Sequence, residues 1–198
     1  MIDVQTLVDC TGATRANSER YACHLNDGMS RFRITSAAVA ACFLGQVAIE
    51  SEGREGRLSA VEEGLSYTSA DRLRDIFPSL FVKGGYRAED YVRKPAALSS
   101  LRYKGFHGRG LIQLTWEAAY KAASDALDFD YVGNPALVLE PMHAALTACW
   151  FFAEYKGCLP AAERGDIYEV TGRVNGPARL KLAERKAITA RAYKVLSK

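Results

Sequence analysis

The sequence predicts a mainly α-helical protein, on two observations and one absence. Apolar residues recur at three- and four-residue intervals along most of the chain, residues typical of helix boundaries flank those stretches, and no alternating strand of six residues or more is present. Helices are expected near residues 4–9, 17–30, 36–51, 69–77, 116–127, 142–156, 166–173 and 178–196. With 198 residues and 48% hydrophobic content, one domain spanning 1–198 can bury a proper core.

The elements follow in order. The opening MIDVQTLVDC has no basic segment leading into an apolar one, and Asp3 and Asp9 interrupt it, so no secretory leader is expected. Nor is membrane insertion expected, because no stretch reaches the uncharged length needed to cross a bilayer. The third helix, TSAAVAACFLGQVAIES from Thr35 to Ser51, is almost free of charge; at helical period Val39, Cys42, Phe43, Gln46, Val47 and Glu50 share one face. A carboxylate on a core-facing stripe, beside the negative end of a helix dipole, is expected to hold its proton, as a general acid must. The alternative is that Glu50 caps a frayed end beside Gly53 and points to water.

Thr68 with Asp71 three residues on resembles a capping box for the fourth helix. From Pro78 to Gly110 the periodicity weakens amid Gly, Ser, Tyr and basic residues, which predicts a long loop lining a cleft; Tyr86, Tyr91, Tyr103 and Phe106 are too many aromatics for a disordered linker. Pro141 suits a first helical turn and Gly157 a stop. In the last helix Leu180, Ala183, Ile188, Ala192 and Val195 are expected to face inward, with Lys181, Arg185 and Lys194 on the polar side.

Charge and cysteines exclude several classes. The net charge of +3 is too small, and the basic residues too dispersed, for a helix-turn-helix nucleic-acid binder, but it is compatible with an anionic polymer such as a bacterial wall. The five cysteines (Cys10, Cys23, Cys42, Cys149, Cys158) cannot all pair and none forms a metal-ligand spacing, and His24, His107 and His143 are scattered; reduced thiols and no metal or other cofactor are expected.

Just beyond Glu50 lie Glu52, Glu55, Glu62 and Glu63 among glycines. Two carboxylates in unlike settings are the minimum for hydrolysing a glycosidic bond, one to protonate the leaving oxygen and one to activate water or attack carbon. Further on, HGRGLIQLT (His107 to Thr115) ends a glycine-rich turn and opens a helix. Thr115 is open to two readings, an N-cap or a functional hydroxyl; Gln113 suits sugar hydroxyls; Gly108 and Gly110 also permit an anion nest.

In this order IESEG, EEGLSY, YKGFHGRGLIQLT, ACWFFAEYKG and RVNGPARLKLAER resemble the signature blocks of family 19 glycoside hydrolases, specifically the chitinase-like endolysins of phages and prophages, from roughly Thr6 to Leu196. The resemblance implies a lysozyme-like, two-lobed helical fold with a central substrate cleft and an inverting mechanism. Glu50 matches the general acid, Glu63 the general base with Glu62 as its rival, and Thr115 the hydroxyl that holds the attacking water. Gln113, Tyr67, Tyr120, Asn175 and Arg185 match cleft-lining, substrate-binding positions. Two departures stand out: Ile49 where many relatives have His, expected to make the acid's surroundings more apolar, and Ala119 where Asn is common.

The function expected from this is an endolysin of the muramidase type, acting as a monomer on peptidoglycan glycan strands. It would be made in a bacterial cytoplasm and reach the wall through a holin-type partner's membrane lesion or a secretion apparatus. A chitinase and a non-catalytic glycan-binding module are the alternatives.

Overall fold

The computed structural model describes residues 1–198 and is helical almost throughout. Helix α1 (Val4–Thr11) is capped by the Asp3 carboxylate, which accepts from Thr6 N at 2.7 Å, α2 (Arg15–Arg31) by Thr14, and α3 (Ala37–Glu50) by Ser36. Each cap satisfies an amide that the first helical turn leaves unpaired. Helix α4 (Ala70–Ile76) begins one residue later than Thr68 implies: Ser69 is the cap and accepts from Arg72 N.

Every side chain of α3 from Val39 to Ile49 is buried, so α3 is the central helix of the larger lobe, not an amphipathic surface helix. It packs most extensively against the last helix, α11 (Leu182–Leu196). Around this pair stand α1, α2, α8 (Pro141–Trp150), α9 (Leu159–Glu163) and α10 (Ile167–Asn175). Pro141 occupies the first turn of α8, as expected, and a π-helical turn (Phe151–Tyr155) carries that helix on to Gly157, whose φ of 57° ends it.

The segment expected to be a long loop is instead a second, smaller lobe. It holds α5 (Pro78–Phe81), a 3-10 turn (Ala88–Tyr91) and α6 (Pro95–Tyr103), which with α4 enclose a separate core of Leu65, Leu73, Phe77, Phe81, Ala88, Leu98 and Tyr103. Its helices are too short to show a 3.6-residue period, and its aromatic residues are the core. The two-residue strands β1 (Val61–Glu62) and β2 (Arg109–Gly110) pair antiparallel, and α7 (Glu117–Leu127) leads back to the large lobe through a 3-10 turn (Pro135–Leu139).

The expected inward face of the last helix needs correction. The helix starts at Leu182, after Arg179 and Lys181 in left-handed conformations; Leu180 and Ala183 are exposed, and Arg185, assigned to the polar side, is 1% exposed. Ile188 and Ala192 do face the core, with Val195 at its edge. All five cysteines are free, and Cys42 and Cys149 lie in the core; burial pushes the Cys42 thiol up to about 12.

The close approach of α3 and α11 depends on Gly45, where an added Cβ would lie 2.2 Å from Thr189 Oγ1 and 3.3 Å from the Arg185 carbonyl oxygen. Gly45→Ala is expected to lower stability by about 1–3 kcal/mol through overpacking. Denaturant melts should show part of that loss restored when Thr189→Ala is added.

Candidate active site

Two polar clusters surround the two carboxylates singled out in the sequence. The first is built at the end of α3. Glu50 Oε1 accepts from Arg185 Nη2 at 2.6 Å and from Asn175 Nδ2 at 3.4 Å, while Arg185 Nη1 donates to Gln46 Oε1 at 2.7 Å and its Nε to the Leu180 carbonyl. Gln46 Nε2 reaches Thr171 Oγ1 in turn. Gln46 and Glu50, one helical turn apart, thus receive a guanidinium from α11 and an amide from the end of α10.

This geometry corrects one expectation and removes another. The surroundings of Glu50 are not apolar: its side chain is 15% exposed and ion-paired with a buried arginine, while Ile49 turns away to pack on Ile188. Nor is Glu50 a frayed cap pointing to water. Only Oε2 lacks a partner within the protein.

The second cluster is built on β1 and the turn before β2. Glu63 Oε1 accepts from the Tyr103 hydroxyl at 2.9 Å and Oε2 from Gly108 N at 3.1 Å, while Glu63 N donates to the Gly108 carbonyl. The anion nest at Gly108 is therefore occupied by the chain's own carboxylate. Burial first, then the Glu63 charge and hydrogen bond, push the Tyr103 hydroxyl far above its ordinary range, so it stays a donor. Burial, and then the same charge, also raise Tyr67.

Gln113 and Thr115 border this cluster: a Cβ on Gly108 would sit 2.7 Å from Gln113 Oε1 and 3.2 Å from Thr115 Oγ1. Gln113 takes a left-handed φ of 53° in a turn, not an extended run, and its Nε2 donates to the Val61 carbonyl at 2.8 Å, leaving Oε1 free. Thr115 is not an N-cap. Its hydroxyl donates to the Gln113 carbonyl at 2.8 Å, and α7 begins after Trp116, which gives no side-chain cap.

Glu62, the rival base, is occupied otherwise. Its Oε1 accepts from Arg109 Nε at 2.8 Å and meets His107 Nε2 at 2.9 Å. Burial works to raise its pKa, but the hydrogen bonds and charges of Arg109 and His107 outweigh that and leave it lowered. His107 Nδ1 is held by Ser99, itself only 4% exposed, so this chain of contacts is a strut and not a nucleophile with its base. Tyr120 is also a correction: it is fully buried, donates to the His107 carbonyl and supports the turn from behind instead of touching substrate.

A cavity of about 430 Å³ opens beside Glu63, lined by Glu62, Ser66, Pro95 and His107 among others. The larger one, about 610 Å³, lies at Met29, Ile34 and Leu196 and has neither carboxylate in its lining.

Sequence reasoning missed Tyr103, His107 and Trp116. An aromatic-rich segment signalled the first, but nothing local tied it to Glu63. Trp116 is 45% exposed and holds φ 78°, a conformation that costs a bulky residue about 1–3 kcal/mol and persists only where its surroundings enforce it. Here Trp116 N donates to the Phe106 carbonyl at 2.8 Å.

A two-lobed helical fold with two carboxylates, each held by different partners, is compatible with the glycan-cleaving hydrolase class, which needs an acid and a base. The family model for class I chitinases, glycoside hydrolase family 19, matches residues 34–185, and the chain belongs to that family. Its fold is similar to that of chitinase C from Streptomyces griseus HUT6037 (TM-score 0.63, 20% identity, 100% of this chain and 77% of that one). A bacterial family 19 chitinase gives TM-score 0.65 at 20% identity, over 98% of this chain and 94% of that one.

Among curated relatives, chitinase 8 of Oryza sativa subsp. japonica is 44% identical over 57 residues, 28% of this chain and 22% of that protein. The acidic 27 kDa endochitinase of Solanum lycopersicum is 38% identical over 79 residues, 39% and 29% respectively. The matched stretches thus span less than a third of these relatives' own length.

The Glu62 anchor has a signed pH dependence. Its folded pKa lies below the ordinary 4.5, so the stability it contributes is present above that value and is lost as pH falls through the folded pKa. Thermal melts of the parent and Glu62→Gln should therefore differ at neutral pH, with the parent more stable, and converge under acid conditions.

Proposed function

We propose that this chain hydrolyses β-1,4 bonds between the N-acetylated amino sugars of peptidoglycan by a single inverting displacement, with Glu50 as general acid and Glu63 as general base. The observation that carries this reading is the unlike anchoring of the two carboxylates, one by a buried cation and one by neutral donors. Arg185 and Asn175 hold Oε1 of Glu50, so the proton belongs on Oε2, the oxygen free to meet the glycosidic oxygen. As that proton leaves, the carboxylate it leaves behind faces the Arg185 guanidinium, an interaction that strengthens as charge develops.

Glu63 is fixed by Tyr103 and Gly108 without a cation, and its remaining lone pairs accept a proton from water. Thr115, with its hydrogen committed to Gln113, offers its oxygen as an acceptor to that same water. Water then adds to the anomeric carbon as the leaving oxygen takes the Glu50 proton, and the configuration inverts. Gln113 Oε1, beside the Glu63 cluster, and Asn175, beside Glu50, are further polar groups for the sugar.

The relatives' names favour a second reading, chitin as the polymer, which differs in the sugar and not in the chemistry. No helix is long and apolar enough to cross a membrane. With the peptidoglycan reading go two further proposals, a separate release route to the wall, such as a holin-type lesion, and action as a monomer.

Glu50→Gln and Glu63→Gln are each expected to lower kcat on glycan strands by roughly 100-fold or more. Glu50→Gln should stay folded, because the amide oxygen still accepts from Arg185; normal turnover by this variant would refute the assignment of the acid. Thr115→Val should reduce kcat while leaving KM within about twofold, since the attacking water loses a partner and, within the protein, only the Gln113 carbonyl loses another. Product anomers followed by NMR check the stereochemistry, and retention would exclude the single displacement.

A further inference from the structure

Arg102, next in the chain to the tyrosine that holds the base, is a cation without a carboxylate partner. Its guanidinium lies 4.9 Å from the centroid of the Trp116 ring, 5.6 Å from that of Tyr103 and 6.0 Å from that of Phe77. It makes no ion pair or hydrogen bond with another residue's carboxylate or carbonyl, and its Nε is buried without a partner. Neighbouring charges are already matched: Lys104 takes Glu117 at 3.1 Å, and Arg109 takes Glu62.

The position of this cation follows from Tyr103, whose hydroxyl donates to Glu63 and whose ring stands 5.0 Å from the ring of Trp116. Arg102 also acts on that hydroxyl through its charge and a side-chain hydrogen bond, both weaker than burial and the Glu63 charge. An exposed indole, held in a strained backbone conformation, thus adjoins a guanidinium that has no carboxylate partner and is next in the chain to the tyrosine that holds the base. An aromatic face suits the apolar face of a sugar ring, and a planar guanidinium already stacked and partly desolvated suits a carboxylate, which it can grip with two N–H groups.

We infer that Trp116 and Arg102 form a subsite that binds an amino sugar carrying a carboxylate, so that the glycan accepted next to Glu63 is an acidic one and not neutral chitin. This rests on the reading of Glu63 as part of a glycan cleft. In peptidoglycan the carboxylate has two sources: the lactyl ether of N-acetylmuramic acid once its peptide is removed, and the acidic residues of the attached peptide. Arg102 is a specificity residue; the acid and base act whether or not it is filled.

The test measures binding instead of turnover, using the full chain with Glu50→Gln and calorimetric titration at low and high salt. The probes are a neutral N-acetylglucosamine oligomer, peptide-free glycan strands with free lactyl carboxylates, and strands bearing peptides. At least one acidic probe should bind roughly 10- to 100-fold more tightly than the neutral oligomer at low salt. Adding Arg102→Met should abolish that preference and change neutral binding by no more than about twofold.

Arg102→Lys should recover only part of the preference, because an ammonium keeps the charge but not the planar fork. Should the Met variant unfold, the Lys variant carries the comparison alone. Preference for peptide-free strands identifies the lactyl group; preference only for peptide-bearing strands identifies the peptide. Equal affinity for all three probes, binding to none, or a preference that survives both Arg102 changes would overturn the subsite. Since no turnover is measured, a chain that hydrolyses nothing yet shows the Arg102-dependent preference would sink the catalytic reading and keep this one.

Discussion

The contact between Arg185 and Glu50 ties the fold to the site. A guanidinium 1% exposed at the junction of α3 and α11 is costly unless it is hydrogen-bonded and paired, and the Leu180 carbonyl, Gln46 and Glu50 give each of its three nitrogens a partner. The same contact fixes one oxygen of Glu50 and leaves the other free. Whatever holds α11 against α3, including the bare backbone at Gly45, therefore also sets the direction of the carboxylate.

The base is held by a different logic. Glu63 belongs to neither large helix; β1 and the turn at Gly108 deliver it, and Tyr103 of the smaller core reaches across to it. Glu62, its neighbour at the end of β1, ties that strand to β2 and the turn before it through Arg109 and His107. Adjacent carboxylates thus have different tasks because their partners differ: two basic side chains for Glu62, a hydroxyl and a backbone amide for Glu63. The first cluster answers to the large lobe and the second to the small one.

Much of the fold was legible in the sequence. The uncharged run of α3, Pro141 and the helical period of the longer segments place most of the large lobe, and the ordered blocks around Glu50, Glu63 and Thr115 point to the family to which the chain belongs. The smaller lobe was not legible, since helices of four to nine residues carry too few turns to display a period, and its aromatic core looks like loop composition. Arg185 was assigned to the wrong side because its pairing lies 135 residues away in the chain, where no local pattern can register it.

Sequence alone determined which residues are available: a carboxylate at the end of an uncharged helix, a second one before a glycine-rich turn, and helices long enough to display their period. Only the tertiary structure decided their surroundings, because an ion pair, a buried hydroxyl or an unpaired guanidinium depends on which distant segments meet. Periodicity is a property of neighbours along the chain. The electrostatics of a site is a property of neighbours in space, and for Glu50 these are Arg185 and Asn175, while for Glu63 they are Tyr103 and Gly108.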